Sequence, residues 1–158
     1  ELYGLSTVSL RYFTVYGPGM RLDNALSIFI KNALQDKNIE IFGDGSYIRD
    51  YTYISDIVEA NLLFMDKKFS GDVFNIGRGE EITIKELANT IIELTESKSK
   101  IKYSKDKKGD IVQELANTKK LEKTLNWKPK VSLEEGLKKV IEHYKKVENW
   151  YDKDTIMR

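Results

Sequence analysis

The chain of 158 residues contains no cysteine, a single histidine and only two prolines. Without cysteine it can build neither a disulfide framework nor a thiolate metal site. The lone histidine, His143, sits among lysines on the last helical stretch and reads as an inert surface residue. No Ser-His-Asp set, metal-ligand cluster or carboxylate pair stands at a recognisable spacing. A surplus of one charge is also lacking: 26 lysines and arginines face 25 aspartates and glutamates, a net charge of +1. Binding to nucleic acid or anionic lipid would need clustered excess base, so neither is expected. Apolar runs fall far short of a membrane span and no signal peptide opens the chain, which predicts a soluble, cytoplasmic protein. The phosphate-gripping G-x-G-x-x-G is missing too, because "GDG" and "GRG" each lack the third glycine. The first residue is Glu1 rather than methionine, the expected look of a piece of a longer protein.

What is present suffices for one core. Hydrophobic residues make up 41% and charged residues 32%, the proportions of an ordinary globular chain, and residues 1–158 read as a single unit without linker or repeat. Thr7 to Val15 is β-branched and aromatic, a strand stopped by Gly17 and Pro18. Leu26, Phe29, Ile30 and Ala33 recur at helical spacing over Ala25 to Leu34. "IEIF" and "IRDYTYI" read as short strands either side of a "GDGS" turn. Ser55 is the expected cap of a helix reaching Met65. "DVFNIG" and "KIKY" are further strands. "TIKE" and "SLEE" carry capping-box spacing ahead of two amphipathic helices, and a short helix over Thr118 to Leu125 precedes "WKP". Strands and helices alternate, so the class is α/β. The opening strand has no earlier neighbour, so its natural partners should lie upstream, and its unpaired edge predicts self-association.

Several residues invite anion chemistry. Arg21 follows a Gly/Pro turn and precedes a helix, where guanidinium and free N–H groups could converge on a phosphate; pairing with Asp23 is the plainer reading. Arg49 in "YIRDY" fits either an edge-strand cation in solvent or a ligand clamp. Phe42 ends a strand before a glycine turn, where its ring could stack on a planar base or join the core. Lys107 and Asp110 form a polar loop cluster. Tyr103 and Lys107 make a Y-x-x-x-K spacing, but across a strand end and loop with no helical pattern, so it reads as chance.

Taken in order, these stretches resemble the C-terminal half of the extended short-chain dehydrogenase/reductase family, the nucleotide-sugar epimerases and dehydratases. "LRYFTVYGPGMR" is similar to the family's R-Y-F-N-V-Y-G-P. "IEIFGDGSYIRDYTYISDIVEANL" resembles its I-Y-G-D-G-x-x-x-R-D-F-x-Y-V-x-D-x-V-x-A. "VFNIGRGEEITIKEL" is like its Y-N-I-G-x-G segment. "KKGDIVQELANTKKLEKTLNWKPKVSLEEGL" resembles the closing R-P-G-D…A-D-x-S-K-A-x-x-x-L-G-W-x-P. The likeness spans essentially the whole chain and is nearest to the UDP-glucose and UDP-glucuronate 4-epimerases.

The resemblance implies the last strands of a Rossmann-type sheet plus a small mixed α/β substrate-binding domain. It places the NAD fingerprint and the catalytic Tyr-x-x-x-Lys upstream of Glu1, so this chain alone is expected to be inactive, to bind NAD poorly and to hold no catalytic residue. It implies that Tyr12 and Phe13, with Thr14, line the meeting place of nicotinamide and sugar. The Asn24 and Ala25 backbone and Arg21 would approach the diphosphate, Glu40, Ile41 and Phe42 would form the uracil slot, Arg49 would clamp the diphosphate, and Asp110 would bond the ribose. Lys107 replaces the usual arginine, and Thr14 replaces an asparagine, as in the uronate-processing subgroup. The implied reaction is hydride transfer from sugar C4 to NAD and back to the opposite face. A dehydratase or decarboxylase of the same family, or a non-catalytic binding or assembly domain, remains an alternative.

Overall fold

One parallel strand pair sets the frame. β1 (Thr7–Tyr12) runs alongside β6 (Ser70–Ile76) in a computed structural model that describes residues 3–147. The opening strand is not continuous as its composition suggests. At Phe13 it changes partner: Phe13 N–H donates to the Ile76 carbonyl and Thr14 N–H to that of Asp50. β2 (Thr14–Tyr16) then pairs in parallel with β5 (Tyr51–Tyr53). β3 (Ile39–Phe42) pairs in parallel with β8 (Ile101–Ser104), whereas β4 (Ile48–Arg49) lies antiparallel to β7 (Ile82–Thr83), a short strand with no periodic signal of its own. "IRDYTYI" is thus two strands divided at Asp50, and the polar residue in its centre is the reason.

Helices fill the intervals. α1 (Ala25–Leu34) starts where Asn24 accepts from Ser27 N–H, and its buried Leu26, Phe29, Ile30 and Ala33 are the residues whose spacing foretold it. α2 (Ile54–Met65) begins one residue before Ser55, with Tyr53 at the cap position and no side-chain cap. Asp56 in its first turn supplies the negative charge a helix N-terminus favours, and its carboxylate accepts from Val131 N–H at 3.0 Å. α3 (Ile84–Thr95) carries a complete Thr83–Glu86 capping box. In α5 (Leu133–Lys146) the corresponding Ser132 accepts from Glu135 N–H, but the Glu135 carboxylate turns to Lys139 at 2.7 Å. α4 (Lys119–Leu125) is short.

The buried side chains form two clusters. The larger joins α1, α3 and α5 around Tyr16, Ile30, Ile41 and Leu87. The smaller packs α2 and β6 with Leu121 and Trp127. Gly136, in mid-helix, would be a poor choice for α5 on propensity alone, yet a Cβ there would lie 2.0 Å from the Tyr16 hydroxyl oxygen. That close approach lets Tyr16 donate to the Leu133 carbonyl at 3.2 Å. No helix among the described residues is long and apolar enough to cross a membrane.

Candidate functional site

Pleating of β3 sends Ile41 into the core and leaves Glu40 and Phe42 facing outward. The Glu40 carboxylate accepts from the Ser104 hydroxyl on the neighbouring strand. Phe42, 39% exposed for an aromatic ring, forms part of the wall of a hollow of about 410 Å³, within the range of small-ligand sites. Glu40, Ile41, Arg49, Lys107 and Asp110 line the same hollow, and Thr14, Asn24 and Ala25 close its other side.

The loop after β8 folds over this hollow at three points. Tyr47 donates its hydroxyl to Asp106 at 2.5 Å, which pushes its phenol above the ordinary value. Lys107 Nζ lies 3.9 Å from the Phe42 ring centroid, a cation–π contact. Asp110 accepts from Arg49 at 3.0 Å. Arg49 is the most enclosed cation of the site, its side chain 16% exposed. It also donates to the carbonyls of Ile48 and Ile111 at 2.8 and 2.6 Å, and its Nε faces Glu114 at 3.8 Å. Carbonyls and carboxylates fix the planar fork from several sides, so a ligand meets it already oriented.

Two backbone carriers of the site were not singled out by sequence. Asp50 is fully buried. Its carboxylate accepts from the N–H groups of Arg78, Gly79 and Ala116 at 2.9, 2.8 and 3.1 Å, so it joins the strand bearing Arg49 to two remote segments. Gly77 makes the approach possible, because a Cβ there would stand 2.8 Å from an Asp50 oxygen and 2.5 Å from the Ala116 Cβ. Glu114, four residues beyond Asp110, accepts from the Thr14 hydroxyl at 3.2 Å. The signal available for Asp50 was its charge between aromatic strand residues; for Glu114 there was none.

Other candidates stand apart. Arg21 bonds bidentately to Asp23 at 2.9 and 2.8 Å, remains 83% exposed and lines a neighbouring hollow of about 350 Å³ that it shares with Asn24. A carboxylate two residues away reaches it without moving the chain. Tyr12 and Phe13 line neither hollow; Tyr12 donates to Asn61 at 2.7 Å. Asn24 spends its side chain on Ser27 N–H and the Arg21 carbonyl, leaving its backbone at the helix start as its share of the wall. Tyr103 lies in β8 and Lys107 in the following loop, so the Y-x-x-x-K spacing has no helical face.

Parallel strands with interleaved helices, and a hollow combining an aromatic ring, a held guanidinium and carboxylates, define a Rossmann-type α/β protein. The chain belongs to the NAD dependent epimerase/dehydratase family, whose family model matches residues 1–77. A UDP-N-acetyl-alpha-D-glucosaminuronate decarboxylase of Bacillus cytotoxicus is 38% identical over 94% of this chain and 49% of its own length. The Thermotoga maritima UDP-glucose 4-epimerase, solved with UDP-glucose, superposes with a TM-score of 0.85 at 41% identity, covering 91% of this chain and 47% of that one. The Bacillus cereus UDP-glucuronic acid 4-epimerase, solved with UDP-glucuronic acid and NAD, gives 0.81 at 36%, covering 87% and 45%. The chain therefore spans about half the length of the curated relatives it matches.

Proposed function

We propose that this chain is the UDP-sugar-binding half of an NAD-dependent sugar 4-epimerase and is inactive on its own. The observation that carries the reading is the single hollow gathering Phe42, Arg49, Lys107 and Asp110 with Thr14. A uracil would stack on the Phe42 ring in place of the Lys107 ammonium, the diphosphate would take the Arg49 fork, and Asp110 would accept from a ribose hydroxyl. These groups grip the unreacting handle of the substrate. Such remote contacts can retain an oxidised intermediate while leaving the sugar free to turn.

The residues present do not make a complete NAD site. No glycine fingerprint occurs in the sequence, and the Tyr12 hydroxyl is engaged by Asn61. No redox step is therefore assigned to this chain. Its own work is to bind and orient.

The test is to assay the full-length protein with NAD and UDP-glucose. Interconversion with the 4-epimer is expected there and absent from residues 1–158 alone. Release of water or carbon dioxide would instead favour a dehydratase or decarboxylase, a second reading supported by the decarboxylase relative. Binding of UDP without turnover in the full-length protein would favour a non-catalytic domain.

We further infer that the chain self-associates. Among the described residues β1 has β6 as its partner on one edge, and the other edge offers unpaired ladder groups. Light scattering over a concentration series checks this, and a constant monomer mass would contradict it.

A further inference from the structure

Two of the seats assigned to the nucleotide are taken by the protein itself. Lys107 Nζ lies 3.9 Å from the Phe42 ring centroid, and Asp110 accepts from Arg49 Nη2 at 3.0 Å. All four residues line the same hollow. Lys107 and Asp110 belong to one turn, closed by the Asp110 N–H donating to the Lys107 carbonyl at 3.3 Å. Gly109, at φ 84°, supplies the left-handed third position that a type II turn demands. A shift of this turn that lifts Lys107 off Phe42 therefore also draws Asp110 away from Arg49.

The turn is built to move as a unit. A Cβ on Gly109 would meet no atom within 4 Å, so its tip stands clear of the body. Its fixed end lies just ahead of it at Asp106, which accepts from the Tyr47 hydroxyl at 2.5 Å. An Asp106 oxygen would also stand 3.2 Å from a Cβ on Gly43, so this carboxylate rests against the turn that follows β3. Beyond Asp106 the holds are a cation–π contact and an ion pair near the surface, each worth only a few-fold in an equilibrium. Arg49 Nη1 is bound to the Ile48 and Ile111 carbonyls at 2.8 and 2.6 Å. Nη2 is thus the terminal nitrogen that a diphosphate gains when Asp110 leaves.

We propose that the Lys107–Asp110 turn is a two-pronged plug, pivoting at Asp106, through which a base arriving at Phe42 releases Arg49 for the diphosphate. The inference rests on the reading of this hollow as a uridine-nucleotide site. It makes the base and diphosphate seats positively coupled, and such coupling is reciprocal. The test splits the ligand in two: the full-length protein, with NAD present, is titrated with inorganic pyrophosphate with and without saturating uridine. NMR follows both titrations, since it reads millimolar affinities. Uridine carries no charge, so it cannot attract pyrophosphate directly. It is expected to strengthen pyrophosphate binding about threefold, and pyrophosphate to strengthen uridine equally. In Lys107→Ala the base enters without lifting the turn. Uridine should then bind about threefold more tightly than to wild type, and the coupling factor should fall to about one. UDP binding without coupling in the wild type overturns the plug and leaves the anchor intact. So does coupling of unchanged size in Lys107→Ala, or no gain in uridine affinity by that variant. Failure of the wild type to bind UDP overturns the anchor, and the plug with it.

Discussion

Asp50→Ala is expected to destabilise the protein by about 3–5 kcal/mol, because it strands several buried donors at once. Asp50 has no solvent exposure, and its two carboxylate oxygens accept three backbone N–H groups, from Arg78, Gly79 and Ala116. Those donors come from segments 28 to 66 residues away, so no local turn can take over the acceptor. The loss would consume a large part of the stability of a domain this size, which runs to about 5–15 kcal/mol. Asp50→Asn, which keeps one carbonyl oxygen, should lie between the two. Urea unfolding measures both, and an Asp50→Ala midpoint matching wild type would remove Asp50 as the knot of the fold.

Arg49→Ala is expected to weaken UDP binding by about a hundredfold or more, since removing one member of a shielded charge cluster leaves the others unpaired. The substitution does more than delete a contact. Asp110 at 3.0 Å and Glu114 at 3.8 Å would then face an incoming diphosphate with no cation between them. Arg49→Lys should recover part of the affinity, because an ammonium supplies charge without the planar fork. The converse variant is informative as well: Arg21→Ala should change UDP affinity little, since Arg21 is already bound to Asp23 at the surface. Equal affinity of wild type and Arg49→Ala in calorimetry would discard Arg49 as the clamp.

The helices were the most legible part of the sequence. α1 and α3 follow from apolar spacing and from caps that lie within a few residues of what they cap. Motif likeness led to Phe42, Arg49, Lys107 and Asp110, and the structure brings these four to one hollow. What escaped depends on long-range geometry. Thr14 and Glu114 are 100 residues apart, and nothing periodic links them. The division of the opening strand was hidden because strand composition reports burial and not the identity of the neighbour. Ser55 misled because a good capping residue one position inside a helix looks the same as one at its start. Arg21 pairs with a carboxylate two residues away at the wall of a neighbouring hollow, a local contact that the loop sequence already offered.

The change of partner at Phe13 gives residues 7–16 a double duty. Val8 and Leu10 pack on the smaller cluster and Tyr16 fills the larger, so one short ribbon stitches both halves of the interior together. Because side chains alternate along a strand, a single inserted residue on either side of Phe13 would turn one set of packing groups toward water. A one-residue change of length should therefore be excluded between Thr7 and Tyr16, where the chain crosses from one cluster to the other.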